Sequence, residues 1–133
     1  MQTRGHAPIP QEVERIGKPV LDVAFAVHTE LGPGLLESVY EAWCAHGLRQ
    51  DGERVETQIS LPVVFRDVRV DAGLRLDMLV GGKVIVEFKA VEKMLPPFEA
   101  QLLTYLKLTD LRLGYLLNFN VSHLKDGIKR IVL

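Results

Sequence analysis

The sequence predicts an α/β domain in which a mixed central β-sheet is flanked by helices. Three observations carry this. Apolar residues recur at helical spacing over residues 11 to 31 and again over residues 35 to 49. From residue 54 to residue 89 the pattern changes to short β-rich runs separated by turn residues. A proline pair then opens a third helix, and an apolar strand follows it. The order is two helices, three or four strands, a helix, then one or two strands, which suits a mixed sheet covered by helices.

Each element has its own signal. In the first helix Val13, Ile16, Val20, Val23, Ala24, Val27 and Leu31 form the apolar stripe. Pro19 lies inside this run, so the helix either kinks there or starts near it. Gly32-Pro33-Gly34 ends it. The second helix offers Leu36, Val39, Tyr40, Trp43, Cys44 and Leu48 as its core stripe. Residues 54 to 65 read as a strand with a bend at Pro62. A turn at Arg66-Asp67 leads through Val68 to Val70 into a second strand and a hairpin. Pro96-Pro97 starts the third helix, expected to reach Thr109. Residues 112 to 118 form an apolar strand, with residues 128 to 133 as the optional last one.

A chain of 133 residues suits a single domain, here over residues 11 to 133. Residues 1 to 10, with their Gly and Pro, are expected to be a loose lead-in without the apolar run of a signal peptide. Composition is that of a globular protein, 47% hydrophobic and 25% charged. A net charge of −1 excludes a global basic field, so a phosphate-binding surface has to be local. The single Cys44 excludes an internal disulfide and suits a reducing, cytoplasmic setting. No stretch is long and apolar enough to span a membrane.

The chemistry concentrates in Arg75-Leu76-Asp77 and Glu87-Phe88-Lys89. Side chains alternate along a strand. Leu74, Leu76, Met78 and Val80 are therefore expected on one face, with Arg75, Asp77 and Leu79 on the other. In the next strand Val84, Val86 and Phe88 share a face, and Ile85, Glu87 and Lys89 share the other. A two-residue turn at Gly81-Gly82 would send Asp77 and Glu87 to opposite faces, because a one-residue slip flips every side chain. A three-residue loop, Gly81-Gly82-Lys83, places Asp77 opposite Glu87 and Arg75 opposite Lys89. Opposed Cβ atoms lie roughly 4.5–5.5 Å apart, so both carboxylates reach one hard cation such as Mg²⁺ or Mn²⁺. Lys89 then stands where negative charge gathers on an attacked phosphate. The bland alternative is a solvated strand face with paired charges. Against it stands the very apolar Val84-Ile85-Val86, which suits a central strand.

Other candidates are weaker by spacing alone. Glu37 follows the glycine break and reads either as an acid favoured by the helix dipole or as a third carboxylate turned toward a metal. Tyr40 and Glu41 share its helical face, with Tyr40 the better fit for packing. Gln101 and Tyr105, an i, i+4 pair, read as core polar residues or as a clamp beside the site. His28 fits a satisfied structural histidine, with no partner at zinc spacing; His46 and His123 have no evident partner. Arg112, Lys125, Lys129 and Arg130 are candidate phosphate contacts. No glycine-rich phosphate loop with a lysine and no nucleophile elbow is present.

The segment Gly34-Leu35-Leu36-Glu37-Ser38-Val39-Tyr40 resembles the signature of the GxxExxY proteins, a group placed in the PD-(D/E)XK nuclease superfamily. His28 before the glycine break, Arg75-Leu76-Asp77, Val86-Glu87-Phe88-Lys89, Gln101-Leu102-Leu103-Thr104-Tyr105 and Leu117-Asn118-Phe119 follow in the family's order, over residues 12 to 133. The resemblance implies a restriction-endonuclease-like core. It makes Glu37 the helix acid, Asp77 the first strand acid, Glu87 and Lys89 the E-x-K element, and Gln101 with Tyr105 a RecB-like Q-x-x-x-Y motif. Leu76 stands where the superfamily's name has proline.

Two readings follow. In the first, Asp77 and Glu87, with Glu37 and the Phe88 carbonyl, hold Mg²⁺ or Mn²⁺. Lys89 activates water, and Gln101, Tyr105 and Arg75 position a DNA or RNA strand for cleavage. In the second, the nuclease fold is catalytically silent and binds nucleic acid or a protein partner. A homodimer would join two sites or extend a small basic surface.

Overall fold

The computed structural model describes residues 7–133, without the side chain of Ala72. Helix α1 (Gln11–Leu31) is continuous through Pro19. Its first turn carries Glu12 and Glu14, which suit the positive end of the helix dipole. It ends where Gly32, at φ 69°, donates its N–H to the His28 carbonyl. Helix α2 (Glu37–Gln50) buries Tyr40, Cys44, Ala45 and Leu48. Leu36 and Trp43, expected in its core stripe, are instead 74% and 53% exposed. Leu36 precedes the first turn of α2, and Trp43 lies at the rim of an open groove between α2 and α1, beside Val23, Val27 and Leu31.

Strands β1 (Val55–Phe65), β2 (Val68–Val80) and β3 (Val84–Lys89) follow, then α3 (Pro96–Thr109), β4 (Leu113–Asn118), a short 3-10 turn (Leu124–Gly127) and β5 (Ile128–Val132). The sheet has five strands in sequence order, β1-β2-β3-β4-β5. Only β3 and β4 run parallel, and α3 supplies their crossover. The mixed sheet is as expected, and the optional last strand pairs with β4.

Two apolar layers sandwich the sheet. On one side α1 and α2 cover Met78, Val80, Val84, Val86, Phe88, Leu113, Tyr115 and Leu117. On the other α3 covers Ile85 and Leu116 with Leu102 and Leu106. Strands β3 and β4, buried on both faces, are therefore apolar almost throughout. Full burial of side chains of this size contributes roughly 1.5–3 kcal/mol each.

Strict alternation fails in β2. Met78 and Val80 pack under α1 and α2, whereas Leu74 and Leu76 pack on the α3 side. These four residues do not share a face. Strand β1 switches sides at the same level, with Val55 in the first layer and Ile59 against the second. The switch coincides with Gln58, a non-glycine residue at φ 52° inside a strand. Flanking pairs Thr57↔Met78 and Ile59↔Leu76 put Gln58 opposite Asp77. The β1–β2 ribbon therefore twists sharply at Asp77. No helix among the described residues is long and apolar enough to cross a membrane.

Candidate active site

The loop between β2 and β3 has the odd length that the carboxylates require. Val80 pairs with Val84, leaving residues 81–83 as a three-residue loop. Gly81 and Gly82 lie at φ 60° and 68°, where a Cβ is costly. Met78↔Val86, Leu79↔Ile85 and Val80↔Val84 set the register that continues to Asp77 opposite Glu87.

The backbone ladder stops one pair short of the acids, at Met78↔Val86. Beyond it β2 peels away from β3, while β3 stays paired with β4 as far as Lys89↔Asn118. The carboxylates replace the missing ladder bonds. The Asp77 N–H donates to Glu87 Oε2 at 2.8 Å, and the Phe88 N–H donates to Asp77 Oδ2 at 2.8 Å. Within a strand a residue's N–H and C=O point the same way, so the Phe88 carbonyl also faces this fork. The Lys89 carbonyl points the other way, accepting the Phe119 N–H at 2.9 Å. Arg75 and Lys89 are consequently not paired across β2 and β3 as expected; Arg75 stands opposite Ser60 of β1.

Glu87 is only 6% exposed. Burial pushes its carboxyl up to about 8, and the Asp77 charge adds to this. The Asp77 N–H and Lys89 work the other way, and Glu41 adds to the rise. Desolvation and a like charge both disfavour the ionised form. A divalent cation would offset both. Two carboxylates and a carbonyl are hard oxygen donors, which fit Mg²⁺ or Mn²⁺ and not a soft metal. Among the described residues no three His, Cys, Asp or Glu side chains are grouped to hold an ion together.

Lys89 meets the site from the α3 side. Its ammonium lies 4.3 Å from the centre of the Phe98 ring, a cation–π contact that fixes a flexible chain. Tyr105 is half-buried on the same helix. Burial raises its hydroxyl above the usual value, as do Glu87 and Asp77, while the Gln101 amide opposes them. Tyr105 therefore stands within electrostatic reach of both acids, with Gln101 exposed one turn earlier.

Helix α2 contributes from the opposite side. Glu37 is exposed in its first turn. Glu41, one turn on, is half-buried, and Gln58 donates to its Oε1 at 2.8 Å. Burial raises the Glu41 carboxyl; the Gln58 hydrogen bond opposes this and Asp77 reinforces it. Glu41 is thus an α2 acid that responds to Asp77 and adds to the rise at Glu87.

The rest of the glycine-to-tyrosine segment is architecture. Tyr40 is fully buried; its hydroxyl donates to the Gly32 carbonyl at 2.6 Å and accepts the Leu35 N–H at 3.1 Å. Its ring stacks on Phe119, 4.4 Å between centroids, and Phe119 stacks in turn on Phe88 at 5.9 Å. His28 Nε2 lies 2.8 Å from the Val121 carbonyl, the satisfied structural role expected of it. Asn118, 2% exposed, accepts the N–H groups of Val91 and Asn120 and donates to the Val91 carbonyl, fixing the chain just after Lys89.

The basic residues near the C-terminus are largely engaged within the molecule. Arg130 forms an ion pair with Glu14 at 2.7 Å and also reaches the Tyr115 hydroxyl. Arg112 donates to the carbonyls of Leu133 and Ala7, and Lys129 lies 3.7 Å from Glu99. Arg112 and Arg130 are therefore not free for the phosphate contacts expected of them.

Sequence spacing did not single out Gln58 or Phe98, it noted Glu41 only as a neighbour of Glu37, and Asn118 entered only through the resemblance. Gln58 and Phe98 act across different elements, so no local period marks them.

A model of the PD-(D/E)XK nuclease superfamily matches residues 14–131 of the chain. Neither a curated protein nor a solved structure matches it.

Proposed function

The chain belongs to the PD-(D/E)XK nuclease superfamily, and from that premise we propose that it is a divalent-metal-dependent nuclease acting on DNA or RNA. The observation that carries this reading is the fork between β2 and β3, where Asp77 and Glu87 interlock through backbone N–H groups. A solvated pair of surface charges would not bury Glu87 to 6% exposure without a compensating partner. Within the superfamily, the likeness of the segment from Gly34 to Tyr40 to the GxxExxY signature supports a reading as a member of that group.

Asp77, Glu87 and the Phe88 carbonyl would hold Mg²⁺ or Mn²⁺, with a third acid from α2, where Glu37 and Glu41 stand one turn apart. The bound ion would lower the pKa of its water and polarise a phosphoryl oxygen. Lys89, held by Phe98, orients the attacking water and offsets charge on the phosphate. Gln101 and Tyr105 position the strand from α3, and Arg75 does so from the β2 side. The buried free Cys44 suits a cytoplasmic protein.

A second reading has one observation in its favour: no three ligand side chains are grouped among the described residues. On that reading the fold binds nucleic acid or a protein, alone or as a homodimer, without cleaving. The test is cleavage of labelled single- and double-stranded DNA and RNA with Mn²⁺, by wild type, Asp77→Asn and Lys89→Ala. Cleavage by wild type alone supports the nuclease. Absence of both cleavage and a Mn²⁺-induced thermal shift in the wild type leaves the binding module.

A further inference from the structure

Glu41 and Gln58 lie outside the acids and lysine that the sequence motifs mark, yet they join one another at the level of Asp77. Gln58 occupies the position opposite Asp77 across the β1–β2 ribbon. Its backbone is left-handed, at φ 52°, a conformation uncommon for a non-glycine residue and costly enough to need a reason. With that backbone in place, its side-chain amide crosses to α2 and donates to Glu41 Oε1 at 2.8 Å. Glu41 is half-buried beside the sheet, whereas Glu37 is exposed one turn earlier.

We propose that Gln58 is a positioning residue that holds Glu41 toward the Asp77–Glu87 pair, so that Glu41, and not Glu37, is the helix acid of the site. This rests on the nuclease reading above and deepens it. A second observation points into the same space. Glu87 is 6% exposed, yet its Oε1 receives no hydrogen bond among the described residues, since the Asp77 N–H goes to Oε2. A nearly buried carboxylate oxygen left unpaired is costly unless something else fills its place. A hydrated cation between Glu87 and Glu41 meets that need. Mg²⁺ keeps several of its waters and takes few protein ligands, so Glu41 can act through a water of the ion without joining a tight three-acid cluster. The Asp77 charge acting on Glu41, and that of Glu41 on Glu87, agree with this placement. Arg75, which also lies within electrostatic reach of Glu41, limits the repulsion among the acids.

The test is Mn²⁺ affinity, read by calorimetry and by the Mn²⁺-induced rise in melting temperature. Wild type would be compared with Glu41→Gln, Glu37→Gln, Gln58→Ala, Gln58→Gly and Asp77→Asn. Removing an outer partner of a metal site typically costs 10–100-fold in affinity. Glu41→Gln is expected to weaken Mn²⁺ binding about tenfold or more, and Glu37→Gln to leave it near wild type. Gln58→Gly tolerates the left-handed backbone and removes the side chain that carries the amide. It should weaken Mn²⁺ binding as Gln58→Ala does, while the melting temperature without metal stays at or above wild type. That separates positioning from simple disruption of the strand. Unchanged Mn²⁺ affinity in Glu41→Gln and Gln58→Gly, with intact binding by the wild type, overturns the proposal and leaves the nuclease reading standing. An absent Mn²⁺ response in the wild type overturns both.

Discussion

Replacing Glu87 by Gln is expected to change how stability of the metal-free protein depends on pH. Glu87 is held at about 8 against an ordinary 4.5, through burial and then the Asp77 charge. Between these values the folded chain binds a proton that the unfolded chain releases. Stability from this group is therefore fully present below about 4.5 and is lost as pH rises toward 8. Each pH unit inside the window costs about 1.4 kcal/mol per proton, so moving from pH 5 to pH 7 costs about 2.7 kcal/mol. In a domain of this size that corresponds to roughly 10 °C in melting temperature. Asp77, Lys89 and Glu41 also face the group, so the slope is read as a difference between proteins. Gln cannot ionise, and its carbonyl still accepts the Asp77 N–H. Glu87→Gln should therefore be flatter across the window and more stable than wild type at pH 7. The assay is urea and thermal unfolding in chelator at pH 5, 6, 7 and 8. Parallel stability curves for the two proteins would refute the claim that Glu87 is destabilised in the fork.

Gly127→Ala should destabilise the domain by about 3 kcal/mol. A Cβ there would sit 2.1 Å from the Asn118 carbonyl oxygen, which is backbone and cannot swing aside; a chemical-denaturation midpoint within error of wild type would contradict this. Phe98→Ala removes the ring beneath the Lys89 ammonium. A desolvated cation–π contact contributes about 1–2 kcal/mol, so kcat for cleavage is expected to fall roughly 5–30-fold with Mn²⁺ affinity unchanged. Phe98→Tyr should retain most of the rate. Equal loss of metal binding in Phe98→Ala would assign Phe98 to the packing of the whole site.

The hairpin shows how far spacing arguments reach. The parity of Asp77 and Glu87 demanded an odd loop, and residues 81–83 supply it. That inference holds because side-chain period in a strand is a covalent property of the chain. The same reasoning failed for Leu74 and Leu76, which lie on the opposite side of the sheet from Met78 and Val80. Alternation presumes a regular strand, and the left-handed Gln58 opposite Asp77 breaks that regularity. A glutamine in a β-rich run carries no local mark of such a backbone. The segment from Gly34 to Tyr40 was legible as a motif, but its composition did not separate roles. Tyr40 closes the loop and stacks on Phe119, while Glu41, the acid that Gln58 holds, lies one residue beyond the motif.

The sequence by itself determined the element types and their order, the mixed sheet, the register of the hairpin and the pairing of Asp77 with Glu87. Each follows from periodicity, turn chemistry or parity, which are local to the chain. Only the tertiary structure decided that β2 peels from β3 just beyond Met78, that Phe98 carries Lys89, that Glu41 meets Gln58, and that Arg112 and Arg130 are engaged internally. Those contacts join residues from elements distant in sequence. Their distances are set by how two helical layers close on one twisted sheet, and no stretch of the chain encodes that closure alone.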